Sequence, residues 1–121
     1  MNDKSSFARL SKHRFGQSRS EVLMYTVIWE YDVPRENSAA FETMYGASGR
    51  WVALFRRAEG FIETALLRDV SVPGRYVTLD RWSSAAAYAR FSDDNREEYD
   101  QLDADAASLT AAERRLGCFE S

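Results

Sequence analysis

The sequence predicts an α+β fold: one antiparallel sheet in the order β-α-β-β-α-β, with its helices on one face. Three observations predict it. Met24–Val33 (MYTVIWEYDV), Phe61–Val70 (FIETALLRDV) and Gly74–Trp82 (GRYVTLDRW) have the composition and alternation of strands. The stretches between and after them repeat apolar residues every three or four positions, as helices do. The second and third strands are separated only by a short turn around VPG, which fits a hairpin.

In the first strand Tyr25, Val27, Trp29, Tyr31 and Val33 alternate with Met24, Thr26, Ile28, Glu30 and Asp32, and Pro34 ends it. Asn37 or Ser38 can cap a helix whose Phe41, Met44, Tyr45 and Ser48 share one side. Gly46 and Gly49 in YGASG interrupt it and open space near Tyr45 and Trp51. Helical spacing resumes with Trp51, Leu54, Phe55 and Ala58 and stops at Gly60. After the hairpin, Ser84 can cap a helix carrying Tyr88 and Phe91, SDDN marks a break, and Tyr99, Leu102 and Ala106 continue the pattern. Asp93, Asp94, Glu97, Glu98, Asp100, Asp103 and Asp105 make this the acidic surface, read as a solvated helix face rather than a metal site. TAAE (Thr110–Glu113) has the capping-box pattern and predicts one more helical turn, with Cys118 and Phe119 beginning a short last strand after Gly117. This order is the split βαβ arrangement of ferredoxin-like folds.

The third strand raises a question of environment. Arg75, Val77, Leu79 and Arg81 share one of its faces, and Tyr76, Thr78, Asp80 and Trp82 share the other. Neither face looks like solvent. A sheet of this order has helices on one side only, so the other side needs a cover. The simplest cover is the sheet of a second copy, which predicts a homodimer through its sheet faces. Glu30, Arg68, Asp80 and Arg81 would then be partly buried, and each is expected to have a charged partner.

Composition narrows the function classes. At 121 residues, with 45% hydrophobic and 13% aromatic content, the chain is one domain with a real core. Residues 1–23 hold five basic residues against two acidic ones, a net +3; the whole chain carries -3, so the remaining 98 residues carry -6 and contain no lysine. The serine-rich basic segment 1–23 is expected to be a flexible tail, with the domain at 24–121. Met24 as the natural start and a genuine extension remain the two readings of that break. The acidic balance gives no reason to expect a nucleic-acid partner, and no apolar run approaches the roughly 18 residues that span a membrane. Cys118 is the lone cysteine, so no intrachain disulfide forms, which fits a reducing, cytoplasmic setting. GxGxxG, P-loop, GxSxG and CxxC patterns are absent.

The blocks MYTVIWEYDV, F-E-x-x-YG, G-x-W-x-x-LFRRAEGF, T-x-LLRD, PGRYVTLDRW and ERRLGCFE, from Met24 to about Glu120, resemble the antibiotic biosynthesis monooxygenase (ABM) domain family. The resemblance implies a dimeric α/β barrel of two ferredoxin-like subunits. It also implies one of two chemistries: oxidation of aromatic polyketide quinols by O₂ without metal or flavin, or haem degradation. The haem-degrading relatives use a His, a Trp and an Asn. Here the only histidine is His13, in the tail, and Tyr31 stands at the place of the Asn. The expectation is therefore no cofactor and no metal.

A cofactor-free oxygenase needs an aromatic pocket and groups that favour a substrate anion. Tyr45, Trp51, Tyr76 and Trp82 are candidates to line it, with Arg56, Arg57 or Arg81 to hold negative charge. Each has a plainer role: the aromatics as core, and Arg56 and Arg57 as complements to a helix dipole. Glu30 and Asp80 could act as bases if burial raised their pKa, but half of an ion pair is the preferred role for each. Cys118 is expected to pack as a small hydrophobe. No residue is assigned as catalytic. The function expected is a cofactor-independent monooxygenase acting on a small aromatic or polyketide-like compound; the alternative is a non-catalytic homodimer that binds a small ligand or a partner.

Overall fold

The computed structural model describes residues 23–121; the expected basic tail, Leu23 apart, lies outside the described residues. Strands β1 (Tyr25–Asp32), β2 (Phe61–Arg68), β3 (Arg75–Trp82) and β4 (Ala112–Glu120) form an antiparallel sheet in the order β2-β3-β1-β4. Helices α1 (Ser38–Tyr45) and α2 (Arg50–Phe55) follow β1, and α3 (Ala85–Asp94) and α4 (Arg96–Ala106) follow β3. This is the predicted α+β order.

Register explains which side the helices take. Val27 faces Asp80, Trp29 faces Thr78 and Tyr31 faces Tyr76 across the β1–β3 ladder, so these side chains share one surface. Phe41, Tyr45, Trp51, Phe55, Phe91 and Leu102 from the helices pack onto that surface and form the core with Val27, Tyr31, Tyr76 and Trp82. The opposite surface carries Ile28 beside Leu79, Ala65 beside Leu79, and Leu67 beside Val77, with Leu67 and Phe119 about half exposed. Its charges are paired within the chain: Glu30 accepts from both Arg75 and Arg114, and Arg81 reaches Glu63 at 3.4 Å.

Local signals mostly act where the sequence places them. The Ser84 hydroxyl accepts the Ala87 N–H at 3.0 Å and caps α3. Asn95 separates α3 from α4 at the SDDN break. The helix that was expected to run to Gly60 ends earlier, at Phe55. Gly60 adopts φ +101 in the turn just before β2, and a Cβ there would stand 2.6 Å from the Cβ of Ala87, so glycine both makes this turn and admits α3. At α1 the expected caps do other work: Asn37 Nδ2 donates to the carbonyls of Ser108 and Leu109 at 3.4 and 3.3 Å, tying α1 to the end of α4, and Ser38 Oγ donates to the Arg35 carbonyl.

Two expectations fail at the C-terminal end. TAAE opens no helical turn. Thr110 is extended, the Ala111 N–H donates to the Asp32 carbonyl at 2.8 Å, and β4 runs from Ala112, longer than expected. The free edge of β1 supplies a ladder that a single capping hydrogen bond cannot outweigh. Leu116 bulges out between Arg115 and Gly117, which keeps both ends of this strand in register. Cys118, on this edge strand, is exposed rather than packed.

Candidate functional site

A cavity lies between the sheet and the helices. Its walls are Trp29 and Tyr31 of β1, Tyr45 of α1, Trp51 and Phe55 of α2, and Tyr99 of α4; Thr64, Thr78, Asp80, Asp103 and Glu113 supply the polar groups. The glycine break between α1 and α2 lets Tyr45 and Trp51 face the same space, with ring centroids 6.0 Å apart. The interior holds about 30 Å³. That is room for a water molecule or two, at about 10–15 Å³ each. An aromatic ligand enters only when wall side chains swing aside.

Asp80 is the distinctive group. It is 8% exposed, accepts one hydrogen bond from Thr64 Oγ1 at 2.9 Å, and among the described residues has no cationic partner. Burial pushes its pKa up to about 6, against the opposing pull of the Thr64 hydroxyl. This corrects the expectation of an ion pair. Glu30, on the other side of the sheet, shows the contrast: similarly buried, it is held below the usual carboxylate range, first by the hydrogen bond from Arg75. Two carboxylates on adjacent strands thus take opposite roles, and Asp80 alone is poised to exchange a proton near neutral pH.

The cavity also holds neutral donors. Tyr31 shares a hydrogen bond with Thr78 Oγ1 at 3.3 Å, and its pKa is raised by burial. Tyr45 is raised by burial and then by Glu113, and Tyr99 chiefly by burial, so all three keep their hydroxyl protons. Among the described residues the buried Trp51 Nε1–H makes no hydrogen bond of normal geometry. An indole N–H and phenol hydroxyls can stabilise an oxyanion without a formal positive charge. At the mouth, Glu113 is raised by partial burial and by the charge of Asp103, although both residues are largely exposed.

Of the six side chains proposed from sequence, Tyr45 and Trp51 line this cavity. Tyr76 lies deeper, under Phe41, and donates its hydroxyl to Glu42 at 2.5 Å. Trp82 is fully buried among Phe55, Phe61, Tyr88 and Phe91. Arg56 is exposed at the end of α2, and Arg81 lies on the opposite sheet face, paired with Glu63. Arg57, the other basic candidate, pairs with Glu98 at 3.1 Å. Trp29, Tyr99, Asp103 and Glu113 were not among the candidates. Only Asp80 had a visible signal, a carboxylate on a strand face otherwise filled by Tyr76, Thr78 and Trp82.

The fold and this aromatic, carboxylate-bearing cavity define a ferredoxin-like α+β protein with a site enclosed between sheet and helices. The sequence model for antibiotic biosynthesis monooxygenase matches residues 24–113, and the chain belongs to that family. Among solved structures, SnoaB, a cofactor-independent oxygenase from Streptomyces nogalater, superposes with a TM-score of 0.59 at 19% identity, covering 84% of this chain and 94% of that one. A Nitrosomonas europaea protein named for the antibiotic biosynthesis monooxygenases gives 0.63 at 15% identity, covering 84% and 92%. PA3566 from Pseudomonas aeruginosa gives 0.59 at 17%, covering 86% and 96%. At these identities the likeness establishes the fold. No curated protein matches the chain.

Proposed function

We propose that the protein is a monooxygenase that works without metal or flavin on a small aromatic or polyketide-like compound held in this cavity. The observation that carries the reading is Asp80, a buried carboxylate without a cationic partner among the described residues, raised to about 6 within aromatic walls. Asp80 takes a proton from an acidic C–H or O–H of the substrate. The resulting anion is held by the Trp51 N–H and the tyrosine hydroxyls, and it gives two electrons to O₂ as a carbon–oxygen bond forms. The peroxide anion takes back the proton held by Asp80, and the resulting hydroperoxide loses water, so a CH₂ becomes a carbonyl, one oxygen atom entering the product and one leaving as H₂O. The electrons come from the substrate, and no separate reductant is needed. Family membership and the likeness to SnoaB support this reading.

The active form proposed is a homodimer in which a second copy covers the open sheet face. Ile28, Leu79, Val77 and Leu67 give that face its apolar stripe, and its charges are already satisfied within the chain, so a like surface needs no oppositely charged partner. Sedimentation is expected to show a dimer at micromolar concentration; a stable monomer would rule this assembly out. No described helix is long and apolar enough to cross a membrane. A cytoplasmic location is part of the proposal and rests on the lone cysteine.

The second reading, a ligand-binding dimer without catalysis, draws on the small interior volume. Oxygen uptake separates the two. Hydroquinone- or anthrone-type substrates are expected to drive O₂ consumption without added metal. Trp51→Ala is expected to lower that rate at least tenfold, on the order of 1.4 kcal/mol of lost transition-state stabilisation, with an unchanged circular dichroism spectrum. Binding without uptake leaves the second reading, and unchanged turnover in Trp51→Ala removes Trp51 from the site.

A further inference from the structure

The charge of the cavity restricts what it can take. Among the described residues three carboxyl groups line it and no arginine does. The nearby cations are committed elsewhere: Arg50 pairs with Asp105 at 2.8 Å, Arg57 with Glu98 at 3.1 Å, and Arg81 lies behind the sheet. Arg115, which shares the helix side of β4 with Glu113, does not line the cavity.

The acids are arranged in depth. Asp80 is at the buried end, whereas Asp103 and Glu113 belong to exposed residues at the opening. Asp103 follows Tyr99 by one helical turn on α4, and Glu113 faces Tyr31 across the β1–β4 ladder, so each mouth carboxyl adjoins an aromatic wall. Among the described residues no three acidic, histidine or cysteine groups converge as a metal site would require. Carboxylates beside aromatic faces suit an organic cation, which gains from both the charge and the ring quadrupoles. In the same wall, the buried Trp51 N–H has no hydrogen bond of normal geometry among the described residues, which leaves a donor for a polar ligand.

Resting on the monooxygenase reading, we infer that the site takes hydroxyaromatic compounds that carry a protonated amine and turns away those that carry a carboxylate. The ring lies between the aromatic walls with its hydroxyl toward Asp80, and the ammonium group sits at the mouth between Asp103 and Glu113. The net charge of -6 on residues 24–121 favours approach of such a cation and opposes an anion.

Three phenols of nearly equal shape test this: tyramine, 4-ethylphenol and 3-(4-hydroxyphenyl)propionate, each titrated into the intact protein at neutral pH with tryptophan fluorescence and calorimetry as readouts. Tyramine is expected to bind about tenfold more tightly than 4-ethylphenol, and the carboxylate about tenfold more weakly than it. The combined Asp103→Asn and Glu113→Gln changes are expected to collapse the advantage of tyramine over 4-ethylphenol. Added salt is expected to shrink the same gap in the unaltered protein. Equal binding of all three, or tighter binding of the carboxylate, overturns the inference and leaves the monooxygenase reading standing. Binding of none of them overturns both.

Discussion

Asp80→Asn is expected to lower kcat by about 10²–10⁴-fold, the contribution typical of a positioned general base, while the folded state becomes more stable at neutral and alkaline pH. In the unfolded chain this carboxyl titrates near its ordinary 3.8, and in the folded protein near 6. Below about pH 4 both states hold the proton and the group costs nothing. As pH rises toward 6 the unfolded chain has released a proton that the folded protein keeps, so its contribution to stability falls. Above 6 the full cost persists, on the order of 3 kcal/mol. Asparagine removes that dependence and can still accept from Thr64, though its N–H₂ donors lack an evident partner. On the monooxygenase reading, the acid limb of kcat/KM in the unaltered protein is expected to rise through about pH 6 and to vanish in the variant. Denaturant titrations at two pH values check the stability, and stopped-flow oxygen uptake checks the rate. Full activity in Asp80→Asn would remove the proposed base.

Trp82→Ala is expected to produce the largest loss of stability, about 3–5 kcal/mol, against a total of roughly 5–15 kcal/mol for a domain of this size. Trp82 has no exposed surface and joins four rings from three elements: Phe55 of α2, Phe61 of β2, Tyr88 and Phe91 of α3, at centroid distances of 5.0 to 5.6 Å. Removing it leaves a void that these rings cannot close from their own anchoring points. Trp82→Phe is expected to cost far less. It keeps an aromatic ring at the junction and deletes an indole N–H that has no hydrogen-bond partner. Chemical denaturation of both variants measures the difference. A loss below about 1 kcal/mol in Trp82→Ala would contradict the packing argument.

The fold was legible because it is written in local alternation. The faces of β1 and β3, the Ser84 cap and the Asn95 break depend on residues close together in the chain. The site was legible only in part, because it depends on what distant segments bring to each strand. Glu30 and Asp80 look alike in sequence, and both invite an ion pair. Arg75 and Arg114 reach Glu30 from the neighbouring strands, while the position beside Asp80 on β2 is filled by Thr64 and not by an arginine. Register decides this, and register is non-local. The same limit hid the first half of β4: the TAAE signal is local, and the edge of β1 that overrides it is not. Trp82 and Trp51 both read as core or pocket aromatics, and only the helix packing separates them, Trp51 at the cavity wall and Trp82 beneath it.

The most direct test of the account is a site-resolved carbon-13 titration of the Asp80 carboxyl, with and without saturating 4-ethylphenol. The account predicts a midpoint near 6 in the free protein and a clear displacement of that midpoint when the phenol is bound. A midpoint near the ordinary 3.8, unmoved by the phenol, would contradict it: Asp80 would then be a solvated carboxylate, and the cavity would not be where substrate meets its base.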